Sequence, residues 1–165
     1  ICNLVKGLTG NTLVLFQLIE KHGNILHSIL EEIIDSSRKI FFVYGGTDAD
    51  TREKVRELVE KEKDAIICAS YGVYSTGINI RNLHNIVFAS PSKSRIRNLQ
   101  SIGRGLRKSE TKESATLYDI SDDLSYNGKK NYTLNHFIER VKIYTSEYFP
   151  YHIYTIPIQT ITDSL

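Results

Sequence analysis

Five short apolar runs most constrain what this chain can fold into. They are Thr12-Leu13-Val14-Leu15-Phe16, Ile40-Phe41-Phe42-Val43-Tyr44, Ala65-Ile66-Ile67-Cys68-Ala69, Ile86-Val87-Phe88-Ala89 and Ala115-Thr116-Leu117-Tyr118-Asp119-Ile120. The first four scarcely alternate with polar residues, and a strand that is apolar on both sides is one covered on both faces. Between the runs the period changes. Ile25, Leu26, Ile29, Leu30, Ile33 and Ile34 recur at helical spacing before Ser36-Ser37. After Gly45-Gly46 a second helix is predicted to start behind Asp50, with Glu53 closing a capping box and Val55, Leu58 and Val59 facing the core. Strands alternating with helices predict an α/β fold, a mostly parallel sheet flanked by helices on both faces. Sites in such folds collect beyond the carboxyl ends of the strands.

The stretch between the last two strands is chemically the most distinctive. In Gln100-Ser101-Ile102-Gly103-Arg104-Gly105-Leu106-Arg107, a helix at about 100° per residue puts Ile96, Leu99, Ile102 and Leu106 on one side. Arg97, Gln100, Arg104 and Arg107 fall on a neighbouring arc about 80° wide. Gly103 and Gly105 each cost a helix about 1 kcal/mol relative to alanine, so they point to close backbone approach rather than to helix stability. Guanidinium forks fit phosphate oxygens and stabilise charge on a transferring phosphoryl group, which makes Arg104 and Arg107 candidate arginine fingers. A solvated basic helix face would carry the same residues. Lys93, Arg95, Arg97, Arg104, Arg107 and Lys108 lie between Ala89 and Ser109 without an acid among them, so the partner is expected to bear phosphate.

Composition narrows the class. The 165 residues suffice for one domain with a real core, and 41% hydrophobic with 24% charged residues is an ordinary globular balance. No apolar run reaches the roughly 18 residues of a membrane span, and no leader opens the chain, so it reads as soluble and cytoplasmic. Cys2 and Cys68 are far apart, and the five histidines show no ligand spacing. A buried free thiol at Cys68 and no structural metal are expected. Methionine is absent even from position 1, so the chain is expected to be a piece of a longer protein.

Residues 121–130 are polar and read as a loop. Leu134, Phe137, Ile138, Val141 and Ile143 or Tyr144 then predict a helix to about Glu147, ended by Pro150, with one more extended segment over 151–158. Six of the ten tyrosines lie from Tyr126 onward. They are expected mainly to pack the terminal helix on the sheet, with base stacking as the alternative.

Four landmarks in a fixed order carry a resemblance to superfamily 2 helicases and translocases. Gln100-x-x-Gly103-Arg104-x-x-Arg107 resembles motif VI of their second RecA-like domain, and Ser75-Thr76-Gly77-Ile78-Asn79 resembles motif V. Val43-Tyr44-Gly45-Gly46 followed by Arg52 resembles the strand, turn and helix start that touch the nucleic-acid backbone, and residues 13–17 stand where motif IV would. Within the family, the likeness to phage helicases of recombination and repair runs on into the tyrosine-rich tail. The resemblance implies a RecA-like domain 2 over 12–125, preceded by a linker or tail over 1–11 and followed by a helical and extended extension over 126–165 that packs on the domain. It implies an ATP-driven DNA helicase acting on branched or single-stranded DNA, a monomer in the host cytoplasm. Arg104 and Arg107 would be catalytic, and Gln100, Gly77, Asn79 and Gly103 would bind ATP. Gly45, Gly46, Arg52, Ser75, Thr76, Lys93 and Arg97 would bind nucleic acid.

No Gly-x-x-x-x-Gly-Lys-Ser/Thr occurs, and no Asp-Glu-x-Asp/His. The chain therefore reads as half an ATPase site. The other half, with ATP and Mg2+, is expected in an N-terminal RecA-like domain of the same polypeptide, and this fragment is not expected to hydrolyse ATP alone. Two other readings remain at this point. One is a nucleic-acid-binding module without ATPase coupling. The other is a cofactor-binding α/β enzyme, which Gly103-x-Gly105 serves poorly because no Gly-x-Gly-x-x-Gly follows a strand.

Overall fold

Thr12–Phe16, with every residue buried, is the middle strand of the molecule, and the other elements are laid out around it. The computed structural model describes residues 1–76, 80, 82–90 and 115–157, with the side chains of 74–76 excepted. Its strands are β1 (Thr12–Phe16), β2 (Ile40–Val43), β3 (Ile66–Ser70), β4 (Asn85–Phe88) and β5 (Thr116–Asp119), each within a residue or two of its predicted run. All are parallel, in the order β2-β3-β1-β4-β5. The described helices are α1 (Cys2–Gly7), α2 (Asn24–Ile33), α3 (Ala49–Lys61), α4 (Tyr71–Thr76) and α5 (Tyr132–Ser146).

The pleat sorts the strand residues onto two faces. Leu13, Leu15, Val43, Ile67, Ala69, Ile86 and Phe88 form one core with Val59 of α3, Val73 of α4 and Tyr144 of α5. Val14, Phe16, Ile66, Cys68 and Val87 form the other with Val5 of α1 and Leu30 of α2. Helices thus cover both faces, which is why the central strands need no polar side. Burial pushes the Cys68 thiol up to about 12, leaving it an inert packing group.

Several local features differ from the sequence expectation. A π-helical turn, Ile19–Gly23, precedes α2. It presses Gly23 against Phe16 so closely that a Cβ would stand 2.5 Å from the ring. The cap of α3 is Asp48 rather than Asp50. Asp48 has the extended backbone a cap requires, and its carboxylate accepts from the Thr51 amide at 2.8 Å and the Thr51 hydroxyl at 2.7 Å. Glu53 turns to Arg56 instead. Leu58 is 44% exposed, so only Val59 and part of Val55 face the core.

α5 stops before Pro150 is reached. Tyr148 takes a left-handed φ of 57°, the Phe149 amide donates to Tyr144 O at 2.9 Å, and the Tyr148 amide donates to Thr145 O at 3.2 Å. This is the Schellman arrangement, which ends a helix without a proline. Residues 151–157 have no regular structure, and 158 lies outside the described residues. Of the C-terminal tyrosines Tyr144 is buried, whereas Tyr126, Tyr132, Tyr148 and Tyr154 are exposed. Packing therefore does not account for most of them.

The amino edge of the sheet is closed by Asn11, which is fully buried. Its Nδ2 faces Val59 O at 3.1 Å, Glu62 O at 2.8 Å and Asn82 O at 2.9 Å, and its Oδ1 accepts from the Ala65 amide at 2.8 Å. Its own carbonyl accepts from the His84 and Asn85 amides. One side chain thus satisfies the last turn of α3 and joins the starts of β1, β3 and β4. Asn11→Ala strands several buried groups, each worth about 1–3 kcal/mol. The expected loss is about 3–5 kcal/mol, read as a lower urea midpoint at unchanged slope.

Candidate functional site at the carboxyl edge

The opposite edge is built differently. β2 runs through Tyr44 into a turn in which the Thr47 amide donates to Tyr44 O at 2.9 Å and the Tyr44 amide donates to Thr47 Oγ1 at 3.1 Å. That closed turn presents Gly45 and Gly46 at the end of the strand. A Cβ on Gly45 would meet nothing within 4 Å, whereas one on Gly46 would meet the Tyr44 ring at 2.6 Å. Gly45 is therefore not needed for packing, and its bare backbone faces open space.

α3 begins directly after the turn, and Arg52 lies in its first turns. The Arg52 amide donates to Asp48 O at 3.1 Å, and its Nε lies 3.4 Å from the same oxygen, folding the half-buried side chain back over the helix start. A cation here opposes the helix dipole, so helix stability does not ask for it. The Thr51 amide and then its hydroxyl hold the Asp48 carboxyl below the usual carboxylate range, keeping an anion at this end.

α4 starts at Tyr71, immediately after β3, and Ser75 and Thr76 close it. At the end of β1 the Gln17 amide donates to Ser90 Oγ at 3.1 Å, and His22 Nδ1 lies 3.3 Å from the same hydroxyl. The connection from β1 runs toward β2 on one side of the sheet, and β4 pairs with β5 on the other. Gln17, His22 and Ser90 therefore stand at the topological switch point, where ligands of open parallel sheets bind. Sequence reasoning missed this trio, because a serine after a strand carries no distinctive signal.

Gly45, Gly46 and Arg52 thus stand together beyond the carboxyl end of β2, and Ser75 and Thr76 close the helix that follows β3. Gly77, Asn79, Lys93, Arg97, Gln100, Gly103, Arg104 and Arg107 lie outside the described residues. The chain leaves the carboxyl edge at Ser90 and is described again from Ala115 at the start of β5.

The carboxyl end of β5 is plugged. Asp119 receives Arg140 Nε at 2.7 Å and Nη2 at 2.8 Å, with the Tyr144 hydroxyl donating to Oδ2 at 2.7 Å. Arg140 is 1% exposed, lies 5.7 Å from the Phe137 ring centre, and keeps Nη1 buried without a hydrogen-bond partner among the described residues. Burial and then the Asp119 charge push the Tyr144 phenol up, so it remains a donor. Both Asp119 oxygens are thereby committed, and Asp48 is committed to Thr51. Among the described residues no cluster of three or more His, Cys, Asp or Glu side chains could hold a metal ion.

A five-stranded parallel sheet covered by helices on both faces has the architecture of a RecA-like domain. The model of the helicase conserved C-terminal domain matches residues 1–109, and the chain belongs to that family, as the C-terminal domain of a superfamily 2 helicase. A relative is the ATP-dependent DNA helicase uvsW of Enterobacteria phage T4, 40% identical over 156 residues that cover 88% of this chain and 30% of that protein. The crystal structure of T4 UvsW superposes with a TM-score of 0.71 at 38% identity, over 88% of this chain and 31% of that one. Mss116p DEAD-box helicase domain 2, bound to an RNA duplex, superposes at 0.56 over 73% of this chain and 44% of its own. The C-terminal part of the Fun30 ATPase domain superposes at 0.54, over 84% and 48%. At 18% identity the last two show the fold alone. The chain spans under a third of the length of the T4 protein. Among the described residues no helix is long and apolar enough to cross a membrane.

The plug on β5 has a testable signature. Removing one member of a buried ion pair strands the other, so Arg140→Met alone is expected to cost about 3–5 kcal/mol. Asp119→Leu with Arg140→Met should cost clearly less than the sum of the two single changes, measured by urea unfolding in a double-mutant cycle.

Proposed function

We propose that this chain is the C-terminal motor domain of an ATP-dependent DNA helicase or translocase that acts on branched DNA in recombination, repair and replication. The observation that carries the reading is the 40% identity to a T4 ATP-dependent DNA helicase over 88% of the chain, more than the 109 residues spanned by the family match. The likeness therefore includes part of the C-terminal extension as well as the shared motor fold.

In this reading an N-terminal RecA-like domain of the same polypeptide closes on the carboxyl edge with ATP between them. Gln100, Gly77, Asn79 and Gly103 contact the nucleotide, and Arg104 and Arg107 stabilise negative charge on the phosphoryl group being transferred. Asp48 and Asp119 at this edge are engaged by Thr51, Arg140 and Tyr144, and Mg2+ is assigned to the other domain. Gly45, Gly46, Arg52, Ser75 and Thr76, with Lys93 and Arg97, follow the phosphate backbone of one DNA strand. A closed turn, a bare backbone and an adjoining guanidinium are what a passing phosphate needs. The active molecule is a cytoplasmic monomer.

Arginine fingers contribute roughly 10³ to 10⁵ in rate. In the full-length protein, Arg104→Ala and Arg107→Ala should each remove DNA-stimulated ATP hydrolysis by a factor of that order while leaving ATP binding largely intact. Near-normal turnover in both would return these residues to a packing or clamping role. DNA affinity that does not respond to nucleotide would favour a binding module without ATPase coupling.

Gly45→Ala separates contact from folding. The new methyl group meets no neighbour, so stability should not change. A phosphate held against that backbone would be displaced, and DNA affinity should fall about tenfold, the equivalent of one charge-assisted hydrogen bond. Unchanged affinity in an anisotropy titration would remove Gly45 from the track.

A further inference from the structure

The chain beyond β5 builds a feature that the motor reading leaves unused. Tyr126 and Lys129 exchange both of their backbone hydrogen bonds, each at 3.0 Å. Between them Asn127 has φ 49° and Gly128 φ 75°. Two left-handed residues in a two-residue loop are the mark of a type I′ hairpin, which Asn-Gly favours. So short a ribbon does not hold by itself in water. Its base is fastened instead. Asn131 Oδ1 accepts from the Leu124 amide at 3.1 Å, Asn131 Nδ2 donates to Asp122 O at 3.0 Å, and Ser121 Oγ donates to Thr133 O at 3.0 Å. The Ser125 amide also donates to the Asp123 carboxylate at 3.0 Å.

Polar bonds therefore fix this hairpin, and its aromatic side chain is left over. Tyr126 is 78% exposed, and Tyr132, at the start of α5, is 75% exposed with its ring centre 3.9 Å from that of His136. Lys129 and Lys130 are exposed beside them. From 124 to 138 there is no acidic residue. Asp122 and Asp123 stay at the base, where the Ser125 side chain and then its amide hold the Asp123 carboxyl below its usual range. Exposed rings held at a fixed place beside two lysines match what unpaired bases and their phosphates bind, although Asp123 stands near enough to Lys130 to feel its charge. The hairpin follows the carboxyl end of β5, on the same edge as Gly45 and Arg52. β2 and β5 are the two outer strands of the sheet, about 19 Å apart at the usual strand spacing.

We propose that this hairpin is a second nucleic-acid contact, in which Tyr126 and Tyr132 stack unpaired bases of a single strand while Lys129 and Lys130 meet the adjoining phosphates. The proposal rests on the reading of the chain as part of a DNA motor and adds to it a place where bases, rather than backbone, are held.

The test is an anisotropy titration of the full-length protein with a fluorescein-labelled thymidine 20-mer and with an abasic oligonucleotide of equal length. Tyr126→Ala with Tyr132→Ala should weaken binding to the thymidine oligomer by about 10- to 100-fold, the scale of one or two lost stacking contacts. Tyr126→Phe with Tyr132→Phe keeps the rings and should bind like the parent. Neither pair should change the weaker binding to the abasic strand. Lys129→Ala with Lys130→Ala should lower the salt dependence by about 1.4 in log–log slope, the release of two phosphate contacts on a single strand.

If the alanine pair binds the thymidine oligomer as the parent does, the hairpin is not a base contact and its rings serve a protein partner. An equal loss on the abasic strand, or a loss shared by the phenylalanine pair, also overturns stacking. A parent protein that binds neither oligonucleotide removes this inference, and the motor reading fails with it only if branched DNA is not bound either. The altered side chains are exposed, and unchanged circular dichroism would show that the variants fold.

Discussion

A strand buried on both faces can exist only if its ends find partners for every polar group, and here Asn11 makes that possible for β1. The amide nitrogen has two hydrogens for three carbonyls, so one is shared, and the oxygen takes the amide that starts β3. Asn85 extends the seal, donating to Thr9 O at 2.8 Å and to Thr12 Oγ1 at 3.1 Å. Arg38 completes it, donating to Val5 O at 3.2 Å and pairing with Asp64 at 3.0 Å. The amino edge is thus closed by fixed side chains, while the carboxyl ends of β2, β3, β1 and β4 carry turns and helix starts. The division of the domain into a structural edge and a working edge follows from where these polar groups are spent.

What could be read from the sequence was whatever is local. The central strands show as apolar runs because both of their faces are covered, and their observed limits differ from the runs by a residue or two. Helix faces were less legible: Leu58 fits the apolar period of α3 but points outward, because position along the helix and not period alone decides what it covers. Asp48 and Asp50 are both good caps by type, and only the backbone angle at Asp48 distinguishes them. Asn11 and Arg140 could not be found at all, since their partners lie 48 to 71 residues away for Asn11 and 21 away for Arg140. Of the candidate site, the glycine turn and Arg52 were singled out through family resemblance, and they lie after β2 and in the first turns of α3. The grouping of Gln17, His22 and Ser90 depends on strand order, which no single sequence displays.

The C-terminal extension is joined to the sheet by geometry more than by greasy contact. A bidentate arginine-carboxylate pair is satisfied at one rotation and one height of a helix, so Arg140 and Asp119 set how α5 lies on the sheet, and the Tyr144 hydroxyl confirms the same placement. Val141, Ile143 and Phe149 then fill in around it. The Tyr126 hairpin is tied in turn to the start of α5, through Asn131 and Thr133.

Because the strands run in one direction, the helices that follow them also begin on one side. α2, α3, α4 and α5 each start after the carboxyl end of a strand, so their amide-rich termini gather along one rim. Each of the longer helices contributes roughly half a positive charge there. Together they rival the formal net charge of +2, before any lysine or arginine is counted. The backbone alone therefore polarises the domain, and an anion approaching it is drawn to the rim by the topology of the sheet.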